Sequence, residues 1–360
     1  EGKSLHLEPF TPRPHQLQAI KKGKQHFTLG NENKGKIIHP CGSGKSLIAY
    51  WITRELGATS ALIAVPSLAL VKQTLNSWTR EAIADGSKME WMAVCSDQDV
   101  SLNEDPAFRT YDLGIAVTTD PNKLANFIEK TSERLKVIVP TYQSSEVISV
   151  ATKQTNHTFD VGIFDEAHKT ATRGSTAFAF ALHDANISIK KRLFMTATPR
   201  HYNIRRRTKE GDAALAYSMD DEAVFGKRSY SLPFAEAVEI GEICPFKIVI
   251  SVVTREMLRR ELEVSETVID DQSVKSQAVA RQVALEKALE QHSLKKIVTF
   301  HNRVSSAKDF ASDGPEGMGH HAPNFQLMHV NGKQPASERK DTLDEFENVD
   351  YAMISNAGCL

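Results

Sequence analysis

The chain contains the run His39-Pro40-Cys41-Gly42-Ser43-Gly44-Lys45-Ser46, in which two closely spaced glycines lead directly into a lysine and a hydroxyl. The apolar stretch 36–38 precedes it and the amphipathic stretch LIAYWITREL follows. Glycines let a backbone curl until successive N–H groups, and the helix N-terminus behind them, point at phosphate oxygens. Pro40, Cys41, Gly42, Ser43 and Gly44 would wrap the phosphates of a nucleoside triphosphate; Lys45 would reach its β- and γ-phosphates, and the Ser46 hydroxyl would ligate magnesium. His39 stands where G-x-x-x-x-G-K-[ST] has its first glycine, so the strict pattern is not met. A glycine-rich turn with an ordinary surface lysine is the plainer account. The order strand, loop, helix favours the cradle.

Hydrolysis in such a cradle also needs a carboxylate at a nearby strand end to hold the magnesium shell, and a base to orient water. The run VGIFDEAH supplies both, at the tip of an apolar stretch over 160–164. Asp165 would hold magnesium through water, and Glu166 would polarise the attacking water. Taken alone, these two acids could be a solvated corner between a strand and a helix. Paired with a phosphate loop 120 residues earlier (165 − 45), that account loses ground.

Such groups must be held by a frame, and the first two thirds of the chain alternate short apolar runs with longer helix-like stretches. That alternation predicts an α/β fold, a parallel sheet covered by helices. Strands are expected over 36–38, 61–65, 91–94, 114–117, 136–139, 160–164 and 192–195. Each is short and rich in Ile, Val, Leu or Phe, as strands buried on both faces should be. The polar, basic stretch 201–210 reads as a surface loop. Prolines near both ends of 232–245 suggest a boundary, giving domains over 1–232 and 246–360 joined by a linker over 233–245. The second series is expected to run strand 246–253, helix 275–292, strand 297–300, helix 304–311, strand 327–330, helix 336–346 and strand 352–355, with 314–321 as a mobile loop. The sequence stops directly after a strand, so the second domain is expected to be incomplete.

At 360 residues, two domains are the default. The 41% hydrophobic and 25% charged fractions are those of an ordinary globular chain. No apolar run approaches the roughly 20 residues that span a bilayer, and EGKSLHLEPF lacks the parts of a signal peptide; the expectation is a cytoplasmic protein without membrane contact. Cys41, Cys95, Cys244 and Cys359 are scattered singly, which speaks against a disulfide framework or structural zinc. Net charge is −1, so any contact with nucleic acid must be local and made by amides and hydroxyls as much as by bulk charge.

The motifs then take on a specific likeness. DEAH at residues 165–168 and TATPR at 196–200 resemble motifs II and III of superfamily 2 helicases, and further motifs fall in family order. PRPHQ at 12–16 resembles the adenine-reading segment, with Arg13 and Gln16 as the contacts. VPSLALVKQ at 65–73 resembles motif Ia, VTTD at 117–120 motif Ib, PTYQS at 140–144 motif Ic, IVTFHNRVSSAKDF motif IV, and ISNAGCL the opening of motif V. The resemblance implies two RecA-like domains with ATP and Mg2+ as cofactors. It implies coupling of the ATP site to the nucleic-acid groove through His168, Thr196 and Thr198, and nucleic-acid contacts from Ser67, Gln73, Thr118, Thr141 and Asn302. Each hydroxyl in that set could instead merely cap a helix. Tyr142 is expected to pack, and His301 carries no comparable context.

The combination of HPCGSGKS, DEAHKT and MTATPR, followed by SMDDEAVFG and PFAEAVEIGEI, is similar to bacterial helicase-like proteins related to type III and single-polypeptide type I restriction enzymes. The likeness implies translocation on double-stranded DNA, with nuclease or methyltransferase domains outside this chain. An RNA or single-strand helicase, an ATP-gated scaffold with little turnover, and more remotely a metabolic P-loop kinase remain the alternatives. One departure matters: the superfamily completes its active site with motif VI arginines in a Q-x-x-G-R-x-x-R pattern, which does not occur here. An arginine finger is worth roughly 10³–10⁵ in rate, so this chain alone is expected to bind ATP and hydrolyse it poorly.

Overall fold

The computed structural model describes residues 7–95, 115–171, 176–201, 217–254, 256, 272–314, 317–332, 334 and 336–357. They divide into two units, the first reaching Pro245 and the second starting at Phe246.

In the first unit the order is α1 (Pro14–Thr28), β1 (Lys34–Ile38), α2 (Lys45–Glu55), β2 (Ser60–Ala64), α3 (Leu68–Ala84), β3 (Met89–Val94), β4 (Val117–Thr118), α4 (Pro121–Glu129), β5 (Leu135–Pro140) and α5 (Ser145–Gln154). It continues with β6 (Phe159–Phe164), α6 (Thr176–Ala179), β7 (Ile189–Thr196), α7 (Glu222–Phe225), β8 (Lys227–Ser231) and α8 (Phe234–Glu239). Eight strands form one sheet in the order β4-β3-β5-β2-β6-β7-β1-β8, and every neighbouring pair is parallel. Parallel strands need crossovers, and these place helices on both faces, which is why the strands read as unbroken apolar runs. Successive side chains of β7 show the division: Leu193 and Met195 join a core with Ile48, Ile52 and Trp78, while Phe194 joins another with Phe164, Tyr142 and Phe225. This first unit is a RecA-like domain. Because β6, β7 and β1 are neighbours, the segments that leave their C-terminal ends emerge side by side, where open parallel sheets bind ligands.

The second unit holds α9 (Gln272–His292), β9 (Lys296–Phe300), α10 (Val304–Phe310), β10 (Gln326–Asn331), α11 (Ala336–Asn348) and β11 (Ala352–Ala357). Its three strands run parallel in the order β10-β11-β9. Ile297, Phe310, Met318 and Met353 cluster as one core, and Met328, Val330 and Ile354 as another.

Several expectations change. The stretch 246–253 is not a strand: Phe246, Ile248 and Ile250 are exposed, the last at 83%. Its β-branched residues give it the composition of a strand, but a strand exists only through a neighbouring strand, and among the described residues no strand pairs with it. Conversely, β8 is a strand that its composition, KRSYS, conceals; it is the sheet's outer edge, where polar residues are the rule. The strand expected at 114–117 is described only as Val117–Thr118, Gly114 lying outside the described residues. Of the loop at 201–210, only His201 is described. The stretch 233–245 contains α8, with Ala237 fully buried, and falls in the first unit. In 314–321 Met318 is buried in the second unit's core and its N–H donates to Phe310 O at 3.0 Å, so this part is packed. Among the described residues no helix is long and apolar enough to cross a membrane.

Candidate functional site

The turn after β1 begins with a backbone hydrogen bond from His39 N to Thr196 O, 2.9 Å, which fixes its starting point against the end of β7. It closes at Gly44, the N-cap of α2, whose φ of 82° lies in the left-handed region. Glycine is required there twice over. A side chain would be strained at that φ, and a Cβ would lie 2.3 Å from Gln16 Nε2. Gln16 is buried and braces the loop: its Nε2 donates to Ser43 O at 3.1 Å and its Oε1 accepts from Arg13 N at 2.9 Å. Arg13 itself is half-exposed and its guanidinium pairs with Glu242.

His39 is fully buried beneath the loop, its Nδ1 bonded to Ser43 Oγ. Ser43 Oγ donates its own proton to Pro40 O, so the His39 proton sits on Nδ1. Burial, then the neighbouring His15 and Lys45, push its pKa down to about 4, leaving a neutral ring at neutral pH. The departure from the glycine pattern thus has a structural role. A side chain at this position holds the loop through Ser43, where a glycine could not.

Opposite the loop, Asp165 and Glu166 leave β6. Lys45 Nζ lies 3.7 Å from Glu166 Oε1 and 3.4 Å from Pro40 O. Lys45, Ser46 and Asp165 line one pocket together with Ile63, Ile163, Met195, Thr74 and Trp78. The Asp165 backbone is held at both ends, its N–H donating to Ala64 O at 3.0 Å and its carbonyl accepting from Tyr142 Oη at 2.7 Å. Burial, followed by the adjacent Glu166, raises the Asp165 carboxyl above its ordinary value, with Lys45 pulling the other way. The hydrogen bond from His168 holds Glu166 below its own ordinary value. Glu166 has a φ of 47°, a left-handed conformation rare for a residue with a side chain and of the kind that clusters at functional sites.

These donors fit a triphosphate and a divalent cation. Ser46 Oγ is buried with no hydrogen-bond partner, in the same pocket as the Asp165 carboxylate; a hydroxyl and a carboxylate are hard oxygen ligands of the kind magnesium takes. The loop offers the tight backbone curl that phosphate oxygens need, and Lys45 supplies the positive charge.

Beyond the acids, His168 Nδ1 lies 3.2 Å from Glu166 Oε2 and 2.9 Å from Thr196 Oγ1, which in turn accepts from Thr198 N at 3.1 Å. A continuous polar chain therefore runs from Glu166 to the exposed turn at Thr198. The residues read as nucleic-acid contacts are placed less uniformly. Ser67 caps α3, accepting from Leu70 N at 3.4 Å; Thr118 Oγ1 accepts from Asp120 N at 3.1 Å; Thr141 is buried with its hydroxyl on Ser144 Oγ. Local bonds engage all three, while Gln73 is exposed on α3 and Asn302 is exposed in the second unit. Sequence reasoning missed the Tyr142 bond to Asp165, the Trp78 indole at the pocket, and Glu242, which pairs with both Arg13 and His15. No spacing signals these contacts; only the position of Tyr142 right after a strand end hinted at the first.

Comparison with known proteins gives a consistent picture. The model of the family described as type III restriction enzyme, res subunit, matches residues 9–201. Probable helicase A859L of African swine fever virus (isolate Pig/Kenya/KEN-50/1950) is 29% identical over 238 residues, 66% of this chain and 24% of that protein, and its counterpart from strain Badajoz 1971 Vero-adapted matches to the same extent. Among solved structures, the ATP-dependent Type ISP restriction-modification enzyme LlaBIII bound to DNA superposes with a TM-score of 0.76 at 24% identity, covering 97% of this chain and 24% of that one; this likeness shows the fold. A nuclease-deletion mutant of the Type ISP enzyme LlaGI, in complex with a DNA substrate mimic, gives a TM-score of 0.50 at 27% identity, covering 79% and 23%. The chain thus spans about a quarter of the length of the relatives it matches.

Proposed function

The chain belongs to the family of type III restriction enzyme res subunits, and from that premise we propose that it is the ATP-driven motor portion of a superfamily 2 translocase that moves on duplex DNA, in a restriction or phage-defence setting. One observation carries the reading: Lys45 and Glu166, 121 positions apart (166 − 45), meet at 3.7 Å, beside a pocket that Ser46 and Asp165 share. The first unit, which extends to Pro245, is then the ATP-binding motor domain, and 246–360 is part of the second. Nuclease or methyltransferase segments would belong to other parts of a longer polypeptide.

In this reading Ser46 and Asp165 hold Mg2+, Lys45 neutralises the β- and γ-phosphates, and the loop amides from Cys41 to Ser46 grip their oxygens. ATP supplies the phosphoryl group that is transferred to water. Glu166, kept ionised by His168, accepts a hydrogen bond from that water and orients it. His168 is then the switch: it contacts both Glu166 and Thr196, so a change at the carboxylate alters its bond to Thr196 and hence to the turn at Thr198. Arg13 and Gln16 sit beside the loop, where the adenine would lie. Gln73, and Asn302 in the second unit, are exposed for a phosphate backbone, and Ser67, Thr118 and Thr141 would contribute through the turns they shape.

The test is phosphate release by the parent polypeptide with duplex DNA, single-stranded DNA or RNA, together with displacement of a triplex-forming strand. Stimulation by duplex and loss of the triplex support the reading. Stimulation by RNA alone would replace it with an RNA helicase. Motif VI arginines are absent from these 360 residues, so this chain by itself should bind ATP and release phosphate slowly whatever nucleic acid is added.

A further inference from the structure

The first turn of α2 carries Ser46, and what holds that turn in place lies on another helix. Trp78, fully buried on α3, donates its indole N–H to the Ser46 carbonyl at 3.0 Å. A carbonyl in the first turn of an α-helix already accepts the N–H four residues on, so Trp78 is a second donor and bonding within the helix does not require it. Its effect is to fix where α2 sits. The same side chain lines the pocket that contains Lys45, Ser46 and Asp165, and its ring meets that of Tyr50 edge-on, with centroids 5.2 Å apart.

Two further bonds close the seam between these helices, Trp51 Nε1 to Glu81 Oε1 at 3.3 Å and Tyr50 Oη to Asp85 Oδ2 at 2.8 Å. Both run from the middle of α2 to the C-terminal end of α3 and involve no residue of the cradle. Of the three, only the Trp78 bond acts on Ser46, which lines the pocket and whose buried hydroxyl has no hydrogen-bond partner.

We propose that Trp78 is a positioning residue for the metal ligand: by holding the Ser46 carbonyl it sets the place of Ser46 Oγ relative to Asp165, and so the affinity of the cradle for Mg2+ rather than for the nucleotide as such. The inference rests on the reading of Ser46 as a magnesium ligand. A side chain held within a few tenths of an ångström is what a ligand set with strict octahedral geometry requires, and such support comes from groups behind the ligands. A merely structural tryptophan would instead weaken the fold and nucleotide binding without regard to the metal.

The experiment is calorimetric titration of the whole chain with a non-hydrolysable ATP analogue, in EDTA and over a series of Mg2+ concentrations, for wild type, Trp78→Phe, Tyr50→Phe and Ser46→Ala. Benzothienylalanine at position 78, which keeps the ring shape and replaces the N–H by sulfur, serves if Trp78→Phe fails to fold. Loss of the indole donor should raise the Mg2+ concentration for half-maximal tightening roughly fivefold, the effect of one hydrogen bond. Affinity in EDTA should stay at the wild-type value, and Tyr50→Phe should follow wild type throughout. An unchanged Mg2+ requirement without the indole N–H, or an equal rise in Tyr50→Phe, overturns the proposal while leaving the site intact. If Ser46→Ala is itself indifferent to Mg2+, the reading of the site falls and this inference with it.

Discussion

The most searching prediction concerns His39, the side chain that replaces a glycine of the phosphate loop. In the folded protein it has a pKa of about 4, against 6.5 ordinarily, because burial and the nearby His15 and Lys45 oppose its charged form. The sign follows from the proton count. Above pH 6.5 the ring is neutral folded and unfolded, and its contribution is fully present. As the pH falls from there toward 4, the unfolded chain takes up a proton that the folded chain refuses, and stability is lost. Between pH 7 and pH 5 that loss amounts to about 2 kcal/mol from this one group. The three tryptophans, Trp51, Trp78 and Trp91, all lie in the first unit, so urea unfolding followed by tryptophan fluorescence reports on the unit that contains His39. Wild type should lose about 2 kcal/mol more than His39→Asn over this interval. Any cost of losing the bond to Ser43 falls at both pH values, so the comparison depends only on the difference in slope. Parallel losses in the two proteins would refute the assignment and leave the acid sensitivity to other groups.

Three other substitutions test the site and its frame. Glu166→Gln should leave binding of ATP nearly unchanged while lowering DNA-stimulated phosphate release by the parent polypeptide roughly 10²–10⁴-fold, the usual worth of a positioned base; unaltered turnover would assign the base elsewhere. Gly44→Ala, which combines a left-handed φ with a clash against Gln16, should weaken nucleotide binding by about 1–2 kcal/mol or more, measured by titration with the ATP analogue. Asp160 ties the start of β6 to β2, accepting from Thr59 N at 2.9 Å and Ser60 N at 3.1 Å and pairing with Lys190 at 2.8 Å. Burial pushes its carboxyl up, but these bonds prevail and hold its pKa at about 2. Asp160→Ala should therefore cost roughly 1–3 kcal/mol in urea unfolding at neutral pH. That contribution is present above the ordinary carboxylate range and fades as the pH falls toward 2, so the variant and wild type should converge in acid.

Much of the first unit was legible because its strands are covered on both faces. β2, β5, β6 and β7 are apolar over the residues that both layers of helices cover, charged residues being confined to their N-terminal halves, and that leaves apolar runs which need no partner to be recognised. The loop at 42–46 was legible for a related reason: a backbone that bends back on itself to expose its N–H groups admits few residues but glycine. β8 escaped notice because an edge strand is half wet and may be polar, and 246–253 misled because a composition suited to a strand does not create the neighbour a strand must bond to. Tyr142 was rightly expected to pack, yet its hydroxyl also reaches the Asp165 carbonyl, which no pattern along the chain could indicate.

What the residues alone determined was therefore the inventory of chemistry: a lysine and a hydroxyl behind a glycine turn, two acids at a strand tip, and the parallel α/β frame around them. Tertiary structure decided which of these groups meet. The strand order places β7 between β1 and β6 and so brings Lys45 to Glu166 across more than a hundred residues of chain, and it sets Trp78 against Ser46. The physical reason is that local preference acts through neighbours in sequence, whereas distances across a sheet edge are fixed by how the two cores pack on its faces.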